Sequence, residues 1–234
     1  NGATQSAGDY LYGKRNGPWT EWYPNGTKAA EGQFLNNRRD GRWTRWTENG
    51  IREEGAYRNG KPEGIWSYTY SNNAKFAEGE YRDGMADGAW TYWHPNGAKY
   101  AQGAYVLGKR EGVHSFWYDS GARQAEGPYV ANQRNGRWTE WTTGGFERAV
   151  MYDHDAVTSY REIRGRYPNG QICEELSSTV TPRGVSIVWT FWYSNAQRQA
   201  EGPCRDGLQD GLWRTWYPNG GKALQGPYSL GRKD

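Results

Sequence analysis

The chain has 234 residues, of which 14 are tryptophan, 18 tyrosine and 33 glycine. Its net charge of +3 is too weak to indicate a nucleic-acid partner, and no apolar run reaches membrane-spanning length. A mean hydropathy of −1.08 is typical of disordered chains, but the 16% aromatic content supplies ring surface that such chains lack. We therefore expect a folded protein that neither inserts into membranes nor binds nucleic acid.

A motif of tryptophan, tyrosine and glycine recurs along most of the chain at steps of 23 or 24 residues. Its leading position carries tryptophan in most copies, histidine in one and isoleucine in another. These leading residues are Trp19, Trp43, Trp66, Trp90, His114, Trp138, Ile163, Trp189 and Trp213. A fixed period of this length is typical of repeat architectures, in which one copy is too short to bury a core by itself.

The first complete copy predicts a β-hairpin. Aromatic and polar side chains alternate from Trp19 to Tyr23, which is the period of a strand, and Trp, Tyr and Thr favour strands. Asn25-Gly26 then predicts a tight turn, in which both residues are expected to take positive φ. A second strand is expected from Thr27 to Phe34.

A second, glycine-rich turn closes each copy, as in the segment from Gly60 to Gly64. Asn37 and Asn132 replace its first glycine in two copies, and Asn is the residue that best tolerates a left-handed conformation after glycine. Short turns at both ends favour sequential antiparallel pairing. We therefore predict an all-β fold, an elongated single-layer antiparallel β-meander of tandem hairpin repeats of about 24 residues.

Stacking of the hairpins is expected to align equivalent aromatic residues into four ladders. The first holds the leading residues, and the glycine of each Glu-Gly pair leaves room for one of their rings against the backbone. The second lies on the opposite face and is our candidate binding surface: Trp22, Trp46, Trp93, Trp117, Trp141, Trp192 and Trp216. The third holds Tyr23, Tyr70, Tyr118, Tyr167, Tyr193 and Tyr217. The fourth holds Phe34, Tyr57, Tyr81, Tyr105, Tyr129 and Tyr228.

The repeat degrades between Trp138 and Trp189. The Glu-Gly pair expected after Trp138 is replaced by Val150-Met151, and a segment without glycine stands where the next glycine turn should be. Departures from a repeat are typical of bends, insertions or functional positions. We predict that this stretch forms a bend or a contact region, with three candidate contact residues: Tyr152, His154 and Tyr160.

The repeats divide the chain into three stretches of one continuous ribbon. Regular repeats are predicted over 1–145 and 185–234, and degenerate repeats over 146–184. Both ends fall inside a copy, since Asn1-Gly2 is in the phase of the Asn-Gly turn and Asp234 precedes the next expected glycine. Because stable repeat arrays carry terminal caps, we expect this ribbon to belong to a longer chain or to be covered at its ends by a partner.

The densest polar cluster with metal-ligand residue types lies in the degenerate stretch: Glu147, Asp153, His154 and Asp155. Metal ligands converge at about 2 Å from the ion, whereas neighbours along a strand diverge, so we expect a solvated loop and no metal site. His94 and His114 replace a ladder tyrosine and a ladder tryptophan, and we expect both to act as aromatic substitutes. The chain has no nucleophile elbow, phosphate loop or Cys–His arrangement, so we predict neither enzymatic activity nor a cofactor.

Cations recur at the second turn of most copies: Lys14-Arg15, Arg38-Arg39, Lys61, Lys109-Arg110, Arg134 and Arg232-Lys233. They could line one edge of the ribbon and meet an anionic partner. However, an acidic residue or an asparagine accompanies nearly every cation. We therefore interpret them as the polar residues that exposed turns need.

The string Gly-x-Trp-x-x-Trp-Tyr-Pro-Asn-Gly at 17–26, followed by Glu-Gly-x-Phe at 31–34, resembles the bacterial variant of the MORN repeat (membrane occupation and recognition nexus). The resemblance covers nearly the whole chain, except for the stretch from about 146 to 163. It implies β-hairpin repeats that form an elongated sheet without catalytic activity. Bacterial members are often described as antitoxin or immunity proteins of toxin systems, and eukaryotic relatives as scaffolds with lipid contacts.

The sequence leaves three functions open. We predict a non-enzymatic protein–protein interaction scaffold, or an accessory subunit of a larger bacterial assembly, that binds through its aromatic-rich ribbon. One alternative is an immunity or antitoxin protein that neutralises a bacterial toxin, although the mildly basic charge gives this no support. The other is a cell-surface glycan-binding module. The expected partner is a protein, a glycan is the other candidate, and the compartment is open between cell surface, periplasm and cytoplasm.

Overall fold

A computed structural model of the chain describes residues 5–144, 146–181 and 184–233. The predicted phase of Asn1-Gly2 and of Asp234 lies outside the described residues. The described residues form strands and turns, and none of them belongs to a helix that could span a membrane. The strands are β1 (Gln5–Leu11), β2 (Lys14–Trp22), β3 (Lys28–Leu35), β4 (Arg38–Trp46), β5 (Arg52–Arg58), β6 (Lys61–Thr69), β7 (Lys75–Arg82), β8 (Met85–Trp93), β9 (Lys99–Val106), β10 (Lys109–Trp117), β11 (Arg123–Val130), β12 (Gln133–Arg134), β13 (Gly136–Trp141), β14 (Glu147–Asp153), β15 (Ala156–Arg166), β16 (Ile172–Thr181), β17 (Gly184–Trp192), β18 (Arg198–Arg205), β19 (Leu208–Gln209), β20 (Gly211–Trp216), β21 (Lys222–Ser229) and β22 (Arg232–Lys233).

The strands fall into two compact units, the first ending at Arg123 and the second beginning at Gln124. In the first unit each strand pairs antiparallel with the next one in sequence, from β1 to β10. The second unit follows the same antiparallel order, with the short strands β12 and β19 on the turn side of their hairpins. The predicted all-β meander of hairpin repeats is confirmed. The predicted boundaries at residues 145 and 184 stay predictions.

The turn that links consecutive repeats contains two residues with positive φ. Asn59 and Gly60 take φ of 54° and 84° in one copy. Asn37 and Asn132, the predicted substitutes for glycine, take φ of 67° and 77°. The expectation of a left-handed backbone at these positions is therefore confirmed.

The segment from Gly60 to Gly64 is not one turn, contrary to the prediction. Gly64, with φ of 71°, lies inside β6 and accompanies a register shift between Glu54 and Ala56 of β5. Left-handed glycines hold the equivalent position in other copies: Gly17, Gly41, Gly88, Gly112, Gly136 and Gly211. A bulge bends its strand and re-aims the side chains that follow. Each of these glycines therefore positions the leading residue two places further on.

The Asn-Gly turn also differs from the prediction. Gly26 takes φ of 82°, but Asn25 is not among the residues with positive φ. The Gly26 N–H donates to the Tyr23 carbonyl at 2.9 Å, which makes a four-residue turn from Tyr23 to Gly26. The Asn25 Oδ1 accepts from the N–H and the hydroxyl of Thr27 at 3.0 and 2.7 Å. The predicted pair of positive φ values is wrong because this asparagine caps the turn with its side chain.

One face of the first unit carries a continuous file of aromatic rings, which is its core. The file runs Trp19, Phe34, Trp43, Tyr57, Trp66, Tyr81, Trp90, Tyr105 and His114, with successive ring centroids 5.1–6.2 Å apart. The rings meet edge to face, a geometry that contributes about 0.5–1.5 kcal/mol per pair beyond burial. The predicted first and fourth ladders therefore interleave into a single file.

Glycine makes room for this file. A Cβ on Gly32 would lie 2.2 Å from the ring of Trp43, so no larger residue fits without displacing the ring. The same contact joins Gly8 to Trp19, Gly55 to Trp66, Gly79 to Trp90, Gly103 to His114, Gly127 to Trp138 and Gly202 to Trp213. Trp43 is consequently 0% exposed, although it lies on a sheet surface. The predicted role of the Glu-Gly glycine is confirmed.

Candidate functional site

The seven tryptophans predicted as a binding surface are all half-buried: Trp22, Trp46, Trp93, Trp117, Trp141, Trp192 and Trp216. Each ends the first strand of its hairpin, next to the four-residue turn, and we call them the turn-edge tryptophans. Thr69 and Arg166 occupy the same slot in two other copies. The structure thus places the predicted residues at one edge of the hairpins of each unit. That they bind a partner stays a prediction.

In several copies a tyrosine just before the turn bonds to the next turn-edge tryptophan. The Tyr70 hydroxyl donates to the Trp93 carbonyl at 2.9 Å. The other tyrosine clasps join Tyr23 to Trp46, Tyr167 to Trp192 and Tyr193 to Trp216. His94 takes the tyrosine slot in one copy, with its Nε2 at 3.0 Å from the Trp117 carbonyl. Its Nε2–H therefore replaces the phenol hydroxyl, in agreement with the predicted aromatic substitution.

The turn asparagine forms a second bond between neighbouring copies, which we call the asparagine stitch. The Asn72 Nδ2 donates to the Pro95 carbonyl of the next turn at 3.0 Å. The same stitch joins Asn96 to Asp119, Asn169 to Ser194 and Asn195 to Pro218. Clasp and stitch together close the space between consecutive turns.

A cation lies over the ring of several turn-edge tryptophans. The Lys75 Nζ is 5.3 Å from the ring centroid of Trp93 and 2.9 Å from the carboxylate of Glu78. The same arrangement joins Lys28 to Trp46 and Glu31, Lys99 to Trp117 and Gln102, and Arg198 to Trp216 and Glu201. Sequence reasoning missed these cations. In these four copies a cation stands three residues before the Glu or Gln of a Glu-Gly or Gln-Gly pair, and this recurring spacing was the signal for them.

A groove of about 770 Å³ opens between the first two turns. It is lined by Tyr23, Pro24, Asn25, Thr27, Lys28, Trp46, Thr47 and Glu48. The volume falls within the range of roughly 300–1,000 Å³ that is typical of ligand pockets. The tyrosine clasp is present here, at 2.7 Å from the Tyr23 hydroxyl to the Trp46 carbonyl. The asparagine stitch is not made by Asn25 within the described part of the chain.

The three predicted contact residues have different surroundings. Tyr152 is only 6% exposed, and its ring packs 6.2 Å from that of Trp138. Its hydroxyl donates to Glu140 at 3.0 Å, and burial together with this bond raises the pKa of Tyr152. Tyr152 therefore belongs to the core, whereas His154 is exposed and Tyr160 half-buried. A contact through these last two stays a prediction.

The polar cluster of the degenerate stretch builds a turn. His154 and Asp155 take φ of 48° and 68°. The two-residue turn is therefore retained here, although the segment has no glycine. The Asp155 carboxylate accepts from the backbone N–H and the Nε of Arg134 at 2.9 and 3.1 Å, which lowers the pKa of Asp155. Within the described ranges, no three His, Cys, Asp or Glu side chains are grouped to hold a metal ion.

His114 occupies the slot of a leading tryptophan and is 3% exposed. Its Nε2 lies 2.9 Å from the Ala104 carbonyl, just as the Trp90 Nε1 donates to the Glu80 carbonyl at 3.1 Å. Burial lowers the pKa of His114, so the neutral ring with a proton on Nε2 fits this site. The geometry agrees with the predicted role as an aromatic substitute.

Part of the predicted cation row belongs to the core face. The guanidinium carbon of Arg39 lies 4.5 Å from the ring centroid of Trp43, and that of Arg134 lies 4.0 Å from the ring centroid of Tyr152. Arg38, the first cation of its pair, is exposed. These turns therefore use one cation to cover the ring file and leave the other in solvent.

Comparisons with known proteins find a match for the repeat. A family model described as a MORN repeat variant matches residues 15–36 and 209–229. No match is found among curated proteins. A solved structure titled "Crystal Structure of TcdB2-TccC3-TEV" is similar over 98% of this chain and 16% of that chain, at 10% identity and a TM-score of 0.27. A similarity at that level says nothing about function.

Proposed function

We propose that the chain, which matches a MORN repeat variant model at residues 15–36 and 209–229, is a non-enzymatic scaffold that binds other proteins through its turn-edge tryptophans. One observation carries this proposal. Leading tryptophans such as Trp43 and Trp90 are buried over glycine, whereas the turn-edge tryptophans of each unit are only half-buried and recur in the same slot of the hairpin. Tryptophan is enriched among the residues that dominate protein interfaces.

The turn-edge row is more than a by-product of folding. Thr69 and Arg166 occupy the same slot while their copies keep the hairpin, so the fold does not require tryptophan there. The tyrosine clasps bind the main-chain carbonyl of a turn-edge tryptophan and so fix the backbone from which its ring projects. A rigid row of rings loses little conformational entropy on binding. Membership in a larger bacterial assembly is part of the same proposal and rests on the family resemblance alone.

A protein partner fits the row better than a glycan does. Sugars stack on open ring faces, but one face of Trp46, Trp93 and Trp117 already carries a lysine. Each of these lysines is also held by a Glu or Gln side chain. A protein surface can meet such a mixed aromatic and charged row with its own rings, carboxylates and amides.

The proposal is tested with a triple variant, Trp46→Thr, Trp93→Thr and Trp117→Thr, because threonine is the native residue in this slot at position 69. The matched control replaces three exposed aliphatic residues away from the row by threonine: Ile65, Val106 and Val113. Partners are captured from the native source, identified, purified and titrated calorimetrically. We expect the triple variant to bind at least about tenfold more weakly, since interface tryptophans often contribute about 2 kcal/mol or more each. Equal affinity of the wild type and both variants, or no saturable partner of the wild type, would refute the proposal.

A further inference from the structure

We propose that the groove between the first two turns binds an extended peptide segment of a partner protein, whose main-chain carbonyl takes the place of the missing asparagine stitch. This inference rests on the proposed function and assigns one subsite within it. We call the contact between two consecutive turns a joint. The joints that contain an asparagine stitch show which chemical group the joint between the first two turns lacks.

The joint between the third and fourth turns is the template. There the Tyr70 hydroxyl donates to the Trp93 carbonyl at 2.9 Å, and the Asn72 Nδ2 donates to the Pro95 carbonyl at 3.0 Å. The Asn72 Oδ1 meanwhile accepts from the Ala74 N–H at 3.0 Å. The side-chain amide is therefore fixed at its oxygen and satisfied at its nitrogen by a main-chain carbonyl.

The joint between the first two turns has the tyrosine clasp and the turn asparagine but lacks the bond from the asparagine Nδ2 to a main-chain carbonyl. The Tyr23 clasp is made, and the Asn25 Oδ1 accepts from the Thr27 N–H at 3.0 Å. The oxygen is thus held by the N–H two residues further on, as in Asn72. Within the described residues this Nδ2 donates to no acceptor, and the groove of about 770 Å³ opens at this point. A carbonyl from outside the chain would complete the joint.

The second turn differs in sequence from the accepting turn of the template. This turn reads Thr47-Glu48-Asn49-Gly50, without the tyrosine and proline of the first turn. The Thr47 Oγ1 accepts from the Ile51 N–H at 2.9 Å, so this turn is closed by its own side chain. Glu48 stands at the position where Pro95 supplies the accepting carbonyl in the closed joint. Among the described residues neither Asn25 nor Asn49 forms the stitch, which elsewhere reaches accepting residues as different as Pro95 and Asp119.

The lining of the groove suits a peptide. Tyr23, Pro24 and Trp46 form apolar walls for one side chain, and Lys28 is tied to Glu31 at 2.6 Å. The Glu48 carboxylate is exposed and forms no ion pair in the described part of the chain, so it is open to a hydrogen-bond donor of a ligand. A peptide unit offers a carbonyl for the Asn25 amide and an N–H for a carboxylate. An extended segment with an apolar residue between two exposed peptide bonds therefore matches the groove.

The test uses N-acetylated, C-amidated tripeptides with Leu, Phe or Pro in the centre. They are titrated into the full-length ¹⁵N-labelled protein, with shifts read at the side-chain amides of Asn25 and Asn72 and at the indoles of Trp46 and Trp93. We expect saturable shifts at Asn25 and Trp46, and none at Asn72 and Trp93. Shifts of equal size in both joints, or no saturable shift, would overturn the assignment.

The matched variants are Asn25→Asp and Asn72→Asp, which remove the Nδ2 donor but keep an oxygen to cap the turn. Asn25→Asp should weaken tripeptide binding at least about tenfold, since the hydrogen-bond donor is replaced by an acceptor that faces the peptide carbonyl, while Asn72→Asp should leave it unchanged. Equal effects, or no effect of Asn25→Asp, contradict the inference.

The two proposals can fail separately. If binding of the purified partner still depends on the turn-edge tryptophans but Asn25→Asp does not change tripeptide binding, the groove assignment is wrong and the scaffold proposal holds. If tripeptides bind at Asn25 but no partner depends on the row, the scaffold proposal fails.

Discussion

The regular repeats of the first unit and the stretch from β14 to β17 build the same hairpin around different cores. In the regular copies a glycine such as Gly79 lies under the ring of Trp90, and the left-handed Gly88 accompanies a shift of register. In the other stretch Val150 and Leu176 take the glycine slot. There β16 and β17 pair at eight consecutive positions, from Glu174–Phe191 to Thr181–Gly184, without a shift.

The difference shows that three features of a regular copy depend on one another: the slot glycine, the left-handed glycine and the buried ring. Where the slot holds Leu176, the opposite Trp189 is only half-buried, and its Nε1 donates to the Glu174 carboxylate at 3.0 Å instead of a main-chain carbonyl. Val150 and Leu176 are themselves 1% and 8% exposed. Aliphatic side chains thus take the place of the slot glycine in this stretch.

The largest expected effect comes from placing a methyl group in the slot of a regular copy, by Gly79→Ala. The new Cβ would lie 2.1 Å from the Trp90 ring, which is held between Tyr81 at 5.1 Å and Tyr105 at 6.1 Å. We expect the free energy of unfolding of the first unit to fall by about 3 kcal/mol, the upper end of typical overpacking costs. Urea unfolding followed by tryptophan fluorescence measures this.

The control for this change is Gly144→Ala, at a glycine without positive φ where the added Cβ would meet its nearest atoms at 3.6 Å. Its effect should stay within about 0.5 kcal/mol, as for surface substitutions in general. Similar losses from both variants would contradict the idea that the ring file needs glycine beneath it.

A smaller effect is expected from removing one tyrosine clasp by Tyr70→Phe. The variant leaves the Trp93 carbonyl without the hydroxyl that now donates to it at 2.9 Å. We expect a loss of about 0.5–1.5 kcal/mol, the usual net contribution of one hydrogen bond, and faster amide exchange in β8. The comparison is Tyr217→Phe, because Tyr217 is 56% exposed and its hydroxyl has no hydrogen-bond partner among the described residues. If the two variants lose equal stability, the clasp does not join the copies.

Much of the fold could be predicted from the sequence, because period and alternation are visible in the letters. The hairpins, the meander and the glycine beneath each leading ring follow from them. The φ of Asn25 was mispredicted because its side chain competes with the backbone for the turn. The bulge at Gly64 and the turn at His154-Asp155 were missed because a single residue of register decides both. Alternation of residue types does not report register to that precision.

The candidate site was predictable in position but not in detail. The turn-edge tryptophans form the expected row, since they recur with the repeat. The stitch from Asn72 to Pro95 spans 23 residues and depends on how two turns meet, which one copy read in isolation does not reveal. The lysine over Trp93 could have been found, because Lys75 and Glu78 recur as a pair at the same period.

The smallest expected effect concerns His114. Here a histidine ring stands in the slot of the leading tryptophan, and the copy keeps its regular geometry. Gly103 still lies beneath the ring, where an added Cβ would be 2.0 Å away, and the Ala104 carbonyl still accepts a hydrogen bond. Burial lowers the pKa of His114 and the nearby Arg110 lowers it further, although the bond to Ala104 acts the other way. On acidification His114 therefore binds a proton in the unfolded chain at a higher pH than in the folded chain. Its contribution to the free energy of unfolding is fully present above about pH 6.5 and is lost progressively below that pH.

Replacement by the residue of the neighbouring copies, His114→Trp, should remove this source of acid sensitivity. We expect the urea midpoint of the wild type to fall between pH 7.5 and pH 5.0 by more than that of the variant, with the two proteins differing least at the higher pH. An equal fall in both would mean that the histidine titrates as it does in the unfolded chain. In the stretch from β14 to β17 the slot, the register and the ring changed together, whereas at His114 the ring changed alone. A protein that keeps its regular register around His114 and loses stability only in acid would show that the glycine slot, more than the identity of the ring, defines a regular copy.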